Sequence, residues 1–260
     1  ITDIVSQYNR LAGGGPEVPE WSLGMLYRCY YQWDAEKIKS VADDFRERDI
    51  PCNIIGLEPG WHTHAYSCTY KWSDKYPNPD AFISYLRERN YHLSLWEHAF
   101  VHPEAEIHDA LAPYSGDWLV WGGLVPDFAT EEGRKTFADY HREKLVDHGI
   151  DGFKLDECDS SDFTGSWSFP LSAEFPSGLD GGAVSFAVRH AVCQNHAGRP
   201  GGAENPLGDP PDGRAGCAVS LCAVQRSVRP SGFHPRAGQR GLFRPALDAG
   251  IPSGGNQGRV

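Results

Sequence analysis

The sequence predicts an α/β fold, namely the first half of an eight-stranded (β/α)8 TIM barrel followed by an irregular or disordered tail. Within the 260 residues, amphipathic helices alternate with short apolar strands over residues 21–181, as parallel βα units do. Three successive strands end in acidic or aromatic side chains, and barrels of this type collect their active-site residues at that end. A doubly wound sheet would show the same alternation, but no GxGxxG motif follows any of the strands. The barrel is therefore the favoured fold, and a complete one takes about 250 residues.

Three helices are predicted from the spacing of apolar residues and from capping residues. Residues 35–48 place apolar side chains at i, i+3, i+4 and i+7, with Asp34 as the N-cap. Residues 80–89 show a second apolar face. Thr130 caps a third helix, which carries acidic residues in its first turn and ends near Gly149.

Four strands are predicted between these helices, at residues 23–28, 53–58, 92–96 and 150–156. The last three end in the runs Glu58-Pro59-Gly60-Trp61, Trp96-Glu97-His98 and Asp156-Glu157-Cys158-Asp159. Because the carboxyl ends of parallel strands meet at one edge of a sheet, these runs are expected around the mouth of the barrel. Glu97 and His98 would either line that mouth or simply cap their strand.

The segment GIDGFKLDECD, residues 149–159, is the most informative part of the chain. Side chains alternate along a strand, so Phe153 and Leu155 should face the covering helices while Lys154 and Asp156 face the barrel interior. A buried lysine and aspartate are costly unless they are paired. A structural ion pair explains both residues, and that interpretation stays open for Lys154. For Asp156 the strand end favours a functional carboxylate, whose pKa a nearby lysine would lower.

The composition changes sharply after Gly181. The first part contains all eight Trp, all eleven Tyr and every Lys of the chain, whereas residues 182–260 have none of these and carry nine Arg against four acidic residues. The tail is also rich in Gly and Pro and has little apolar surface to offset the entropy of folding.

Two interpretations of residues 182–260 follow, a Pro/Gly-rich disordered tail or the product of a frameshift. With one choice of codons, dropping a single base turns residues 182–200 into EQYHSLFGTLYAKTMLDAL, which has helical periodicity. The same shift turns residues 234–252 into an ordinary helix–turn–strand sequence. Since both segments are recovered in one register, the frameshift is the favoured hypothesis.

Composition also restricts partners and compartment. The net charge of −11 argues against nucleic-acid or anionic-membrane partners. No apolar run of membrane-spanning length and no signal peptide is visible, which slightly favours the cytoplasm. The seven cysteines form no CxxC pair, and we expect no metal or cofactor. The chain begins at Ile1, which suggests a fragment or a processed product; the oligomeric state stays open.

Five segments resemble, in order, passages of one enzyme family. They are PEWSLGMLYRCYYQWD, VADDFRERDIPCNIIGLEPGW, YPNPDAFISYLRERNYHLSLWEHAFV, VPDFATEEGRKTF and GIDGFKLDECD. The run from Trp21 to Asp159 resembles the catalytic barrel of glycoside hydrolase family 31, retaining α-glycosidases that include α-glucosidases and α-xylosidases. Each segment alone is a weak signal, but the ordered set is specific. Residues 1–20 then resemble the linker from a preceding β-domain.

The resemblance implies a carbohydrate substrate and a two-step mechanism in which Asp156 is the nucleophile. Glu58 and Lys154 would hydrogen-bond sugar hydroxyls, and Asp159 would also belong to the substrate-binding set. Trp61 and Trp96 would either stack on sugars or pack between barrel and helices. The general acid/base lies on a later strand in the family, which places it within the aberrant tail here, so this chain is expected to be inactive.

Departures from the family pattern leave the substrate open. The family usually has Asp where Glu58 stands, and a lysine at position 154 is more typical of the α-xylosidase branch. An α-N-acetylgalactosaminidase-like branch, an α-galactosidase-like barrel and a non-catalytic sugar-binding or structural barrel are the alternatives.

The segment WHTHAYSC contains His62, His64 and Cys68, which could be metal ligands. Their spacing matches no closed zinc site, so a loop over the barrel mouth is the favoured interpretation. Gly13-Gly14-Gly15 is interpreted as a hinge. RNA binding by the arginine-rich tail is discounted, because the tail lacks interleaved aromatic residues.

Overall fold

The computed structural model describes residues 1–11, 19–157, 169–184 and 219–220. Asp159 and most of the tail over residues 182–260 therefore lie outside the described residues, and so does the glycine run at residues 13–15.

The described chain contains a parallel sheet, a short hairpin and covering helices. The strands are β1 (Leu26–Arg28), β2 (Ile54–Leu57), β3 (His92–Glu97), β4 (Ser115–Val120), β5 (Gly123–Pro126), β6 (Gly152–Leu155) and β7 (Val219–Ser220). The helices are α1 (Thr2–Leu11), α2 (Ala35–Glu47), α3 (Pro79–Arg87), α4 (His108–Leu111) and α5 (Glu131–His141). A π-helical turn, Arg142–Val146, extends α5, and 3₁₀ turns occupy Glu20–Leu23, Pro59–Trp61 and Ala112–Tyr114.

The main sheet has the strand order β1-β2-β3-β6-β7, and every neighbouring pair is parallel. Each new strand adds to the same edge, as in the wall of a barrel. A doubly wound sheet would instead reverse its order at a switch point. The predicted parallel βα architecture is therefore confirmed.

Local sequence explains the helix ends. The Asp34 carboxylate accepts a hydrogen bond from the Lys37 backbone N–H at 2.8 Å at the start of α2. The Thr130 hydroxyl accepts one from the Gly133 N–H at 3.2 Å at the start of α5. Both side chains satisfy N–H groups that a helix leaves unpaired, so both predicted caps are confirmed.

Three differences from the sequence-based expectations concern local structure. The first strand begins at Leu26 rather than at residue 23, because residues 20–23 form a 3₁₀ turn that leaves Leu23 exposed. The expected linker over residues 1–20 contains helix α1. Residues 115–126, for which the sequence patterns predict no helix or strand, form the antiparallel hairpin β4–β5.

The hairpin turns at Trp121 and Gly122, whose φ values are 49° and 70°. Two successive positive φ angles are the pattern of a type I′ turn, which matches the twist of paired strands.

The core lies between the sheet and the helices. Ile38 and Ala42 of α2, Phe82 and Leu86 of α3, and Phe153 of β6 are all buried. Burial of a large apolar side chain contributes roughly 1.5–3 kcal/mol, so the larger of these residues stabilise the packing of the helices against the sheet. Within the described part of the chain, no helix is both long and apolar enough to cross a membrane.

Candidate active site

The carboxyl ends of β1, β2, β3 and β6 lie along one edge of the sheet. The register pairs Arg28 with Gly56 and Trp96 with Lys154. Residues that follow the strands, such as Glu58 and Asp156, therefore come to the same edge. The fold thus collects side chains from four separate segments at the barrel mouth.

Asp156 is the centre of this group. Its Oδ2 atom accepts a hydrogen bond from Lys154 Nζ at 2.6 Å and another from the Trp96 indole Nε1 at 2.9 Å. The Asp156 side chain is 32% exposed and that of Lys154 is 15% exposed. Lys154 and Asp156 share one face of the strand, whereas Phe153 and Leu155 are buried, as the predicted alternation requires.

The surroundings of Asp156 favour its ionised form. Partial burial raises the pKa of the carboxyl, but the hydrogen bonds from Lys154 and Trp96 and the charges of Lys154 and Arg28 outweigh that effect. The net result is a pKa below the ordinary value of an aspartate. At neutral pH the group is a carboxylate, which is the form a nucleophile requires.

Arg28 joins Glu58 to this centre. Its guanidinium forms an ion pair with the Glu58 carboxylate, and the two side chains are 33% and 24% exposed. Burial lowers the pKa of Arg28, while the negative charge of Asp156 opposes that shift. The sequence analysis missed Arg28, although a charged residue at the end of a short parallel strand was the signal that could have found it.

The two tryptophans proposed for sugar binding take different positions. Trp61 is fully buried, its Nε1 donates to the Trp96 carbonyl oxygen at 2.7 Å, and its ring contacts His62 and Trp72. Such burial leaves no ring face for a sugar, so the packing alternative describes Trp61. Trp96 is also largely buried, but its indole N–H reaches Asp156.

Glu97 and His98 do not line the mouth, because both are fully buried. The Glu97 carboxylate lies 3.4 Å from the His141 Nε2 atom of α5. His98 packs against the rings of Tyr66 and Trp121. Burial and, to a smaller extent, the nearby His62 lower the pKa of His98, Glu97 opposes the shift, and the net value is about 3. His98 is therefore neutral at physiological pH.

The loop after Trp61 covers part of the mouth. Its Tyr66 is 43% exposed and packs against Trp96 and Trp121, at ring-centroid distances of 5.4 and 5.0 Å. Burial raises the pKa of Tyr66, and the charges of Glu157 and Asp156 raise it further. Sequence reasoning did not single out Tyr66.

The histidines of this loop have other partners. The His64 ring hydrogen-bonds the Ser67 carbonyl oxygen at 2.9 Å and packs at a tilt against the His102 ring, while His62 is buried. Among the residues that the structure describes, no group of three or more His, Cys, Asp or Glu is arranged to hold a metal ion. The last proposed site residue, Asp159, lies outside the described residues.

A family model and solved structures of known proteins match this chain. Residues 15–185 match the model for the TIM-barrel domain of glycosyl hydrolases family 31. The cycloalternan-degrading enzyme from Trueperella pyogenes, solved in complex with a covalent intermediate, has a TM-score of 0.58 and 21% sequence identity. That match covers 75% of this chain and 31% of the solved chain. The predicted barrel fold is therefore confirmed.

Two curated relatives carry enzyme names. An α-xylosidase from Emericella nidulans is 24% identical over 169 residues, which is 59% of this chain and 22% of the relative. Alpha-glucosidase 2 from Bacillus thermoamyloliquefaciens is 26% identical over 175 residues, which is 62% of this chain and 22% of the relative. The chain thus spans about 22% of the length of the curated relatives it matches.

Proposed function

The chain belongs to glycosyl hydrolases family 31, and from this premise we propose that its barrel hydrolyses α-glycosidic bonds in oligosaccharides or glycosides by a retaining mechanism. The observation that carries the proposal is the carboxylate of Asp156. It lies at the end of a barrel strand, is partly exposed, and is held by Lys154 and Trp96 in its charged form.

The reaction proceeds in two displacement steps. An oxygen of Asp156 bonds to the anomeric carbon while the bond from that carbon to the leaving oxygen breaks, through an oxocarbenium-like transition state. A second carboxylic acid, about 5–5.5 Å away, gives its proton to the leaving oxygen. Water then attacks the glycosyl-enzyme, the second carboxylate takes a proton from that water, and Asp156 is released. The covalent intermediate named for the Trueperella pyogenes enzyme supports this chemistry by analogy.

The residues around Asp156 have distinct proposed roles. Lys154 and Trp96 stabilise the carboxylate and limit its rotation through their bonds to Oδ2. Two side chains form hydrogen bonds with sugar hydroxyls at the reacting subsite. They are Lys154 and Glu58, the latter paired with Arg28. Trp96 is only 1% exposed and contributes its Nε1–H to Asp156 rather than a ring face to the sugar. Asp159 is assigned to the same subsite from the sequence alone.

The chain as given is proposed to be inactive. The family match ends at residue 185, close to the change of composition after Gly181, beyond which the sequence has no Trp, Tyr or Lys. The second carboxyl group belongs to a later strand, and a frameshift near residue 181 would replace that strand. Sequencing independent clones across the codons for residues 180–183 tests the frameshift, and an unbroken frame in every clone refutes it.

The experiment that tests the function uses the complete barrel with the reading frame restored. A panel of aryl α-glycosides (xyloside, glucoside, galactoside and N-acetylgalactosaminide) identifies the sugar, with xyloside or glucoside expected from the names of the relatives. The corresponding 5-fluoroglycosyl fluoride then traps the intermediate, because its added fluorine slows hydrolysis of the glycosyl-enzyme.

Mass spectrometry of the trapped enzyme is expected to place the sugar on Asp156, within the peptide that contains residues 149–159. The Asp156→Ala variant is the matched control and should stay unlabelled. Labelling of another residue would remove Asp156 as the nucleophile. No turnover and no labelling with any sugar would favour the non-catalytic barrel, in which Lys154 and Asp156 form only an ion pair.

A further inference from the structure

One backbone carbonyl near the nucleophile accepts two buried side-chain donors. The Trp96 carbonyl oxygen lies 2.7 Å from the Trp61 Nε1 atom and 3.1 Å from the His62 Nε2 atom. Trp61 ends the 3₁₀ turn after β2, and His62 follows it directly. A carbonyl oxygen has two lone pairs, so it can accept both hydrogen bonds at once.

These contacts fix the tautomer of His62. A carbonyl cannot donate, so His62 Nε2 must carry the hydrogen. The backbone N–H of Tyr70 donates to His62 Nδ1 at 3.2 Å, so Nδ1 must offer a lone pair. Burial lowers the pKa of His62 to about 4, and the charge of Glu97 opposes that shift. The imidazole is therefore a neutral bridge between the loop and Trp96 at ordinary pH.

Ring contacts complete the attachment of Trp96. The His62 ring lies edge-on to the Trp96 indole, with centroids 6.1 Å apart, and the Trp61 ring lies 3.8 Å from that of His62. Trp61 and His62 are both buried. The indole held in this way donates from Nε1 to Asp156 Oδ2 at 2.9 Å. The loop after β2 is thus linked, through Trp96 of β3, to the carboxylate of Asp156, which directly follows β6.

We propose that Trp61 and His62 are positioning residues, which hold the Trp96 backbone and indole so that Nε1 orients the Asp156 carboxylate. That Asp156 is the nucleophile rests on the proposed function. The positioning of the Asp156 carboxylate by Trp96 does not depend on that function. Neither residue touches the reacting atoms. They act through Trp96, and their removal should weaken the Trp96–Asp156 hydrogen bond.

The test measures the titration of Asp156 without substrate, in the 260-residue chain labelled with ¹⁵N-tryptophan. The indole N–H resonance of Trp96 should change with pH as Asp156 is protonated, and Asp156→Asn should abolish that change and so assign it. His62→Phe keeps a ring but removes both nitrogens, and Trp61→Phe removes the indole donor. Each variant should raise the midpoint of the Asp156 titration by about 0.5–1 pH unit. The reason is that each weakens the hydrogen bond from Trp96 Nε1 to the Asp156 carboxylate.

Two further variants separate positioning from packing. His62→Gln keeps an N–H donor and should bring the midpoint of the Asp156 titration most of the way back to that of the unaltered chain. If His62 had a purely structural role, His62→Gln would not reverse the shift. Trp72→Phe disturbs a ring that also contacts Trp61 and should leave the midpoint unchanged.

An unchanged midpoint in a folded His62→Phe or Trp61→Phe variant overturns the positioning role, even if Asp156 proves to be the nucleophile. An equal shift in Trp72→Phe overturns it as well. Conversely, the expected shifts of the midpoint would support the positioning role even if trapping with 5-fluoroglycosyl fluorides failed to label Asp156.

Discussion

Two aspartates of this molecule, Asp43 and Asp156, have nearly the same local chemistry in different places. Asp43 of α2 accepts hydrogen bonds from the Tyr85 hydroxyl at 2.5 Å and from Arg89 Nε at 2.6 Å. Asp156 accepts them from the Trp96 indole and from Lys154. Each carboxylate therefore has one aromatic donor and one cation, and the side chains are 38% and 32% exposed.

The two sites differ in what acts on the carboxyl group. For Asp43 the hydrogen bond from Tyr85 is the largest influence and lowers the pKa; burial opposes it, and Arg89 lowers the pKa further. For Asp156 burial is the largest influence and raises the pKa, but Lys154, Trp96 and Arg28 together outweigh it. Asp43 thus forms an ion pair with Arg89 near solvent, between α2 and the end of α3. Asp156 stays charged although partial burial disfavours its ionised form.

A carboxylate paired with a cation and an aromatic donor does not by itself indicate an active site. Asp43 joins α2 to the end of α3, and the side chains that donate hydrogen bonds to it within the described part of the chain, Tyr85 and Arg89, both come from that one helix and its C-terminal turn. Asp156 lies where Arg28, Glu58 and Trp96 converge from three other strands. Position in the fold, rather than local chemistry, separates the two.

The largest expected difference is in turnover. In the complete, frame-restored enzyme, Asp156→Asn should reduce kcat by about 10⁴-fold or more, since an amide cannot form the covalent intermediate. Asp43→Asn is the matched control and should leave kcat within about twofold. The measurement is the hydrolysis rate of the preferred aryl α-glycoside. A comparable loss in both variants, or in neither, would break the distinction between the two sites.

A smaller difference is expected in the pH dependence of kcat/KM. Lys154 lowers the pKa of Asp156, so Lys154→Met should raise that pKa and move the acidic limb upward by about 1 pH unit or more. At a fixed pH on that limb, kcat/KM falls about tenfold per unit. Arg89→Met removes the equivalent cation beside Asp43 and should leave the limb in place. A limb that does not move in Lys154→Met would show that Lys154 is not the counter-charge of the reacting group.

The smallest effect is expected on stability at Asp43. Its folded pKa is depressed, so its contribution is present above the unfolded value near 3.8 and is lost as pH falls through the folded pKa. Asp43→Asn should therefore lower Tm by a few degrees at most at pH 7, since the pair is exposed, and by less near pH 3. The measurement is the Tm of the unaltered protein and of Asp43→Asn between pH 3 and pH 7. A Tm difference that grew as pH fell would contradict the assigned sign.

Local patterns in the sequence predicted much of the fold. Apolar spacing and the capping residues Asp34 and Thr130 predicted two helices, and alternation over residues 153–156 placed Lys154 and Asp156 on one face. The hairpin over residues 115–126 was missed, because its turn depends on the positive φ angles of Trp121 and Gly122. A tryptophan gives no sequence signal for that conformation.

Neighbours along the chain decide the strongly patterned elements, namely α2, α3, α5 and the four parallel strands, together with their apolar faces and the strand end that carries Asp156, so these features could be predicted from the sequence. Only the tertiary structure brought Trp96 to Asp156 across 60 positions of the chain, paired Arg28 with Glu58 and buried Trp61 as a support rather than a sugar platform. The reason is physical. Periodicity reports which side of an element is apolar, whereas a contact between distant residues depends on how the strands align and which side chains fill the space between them.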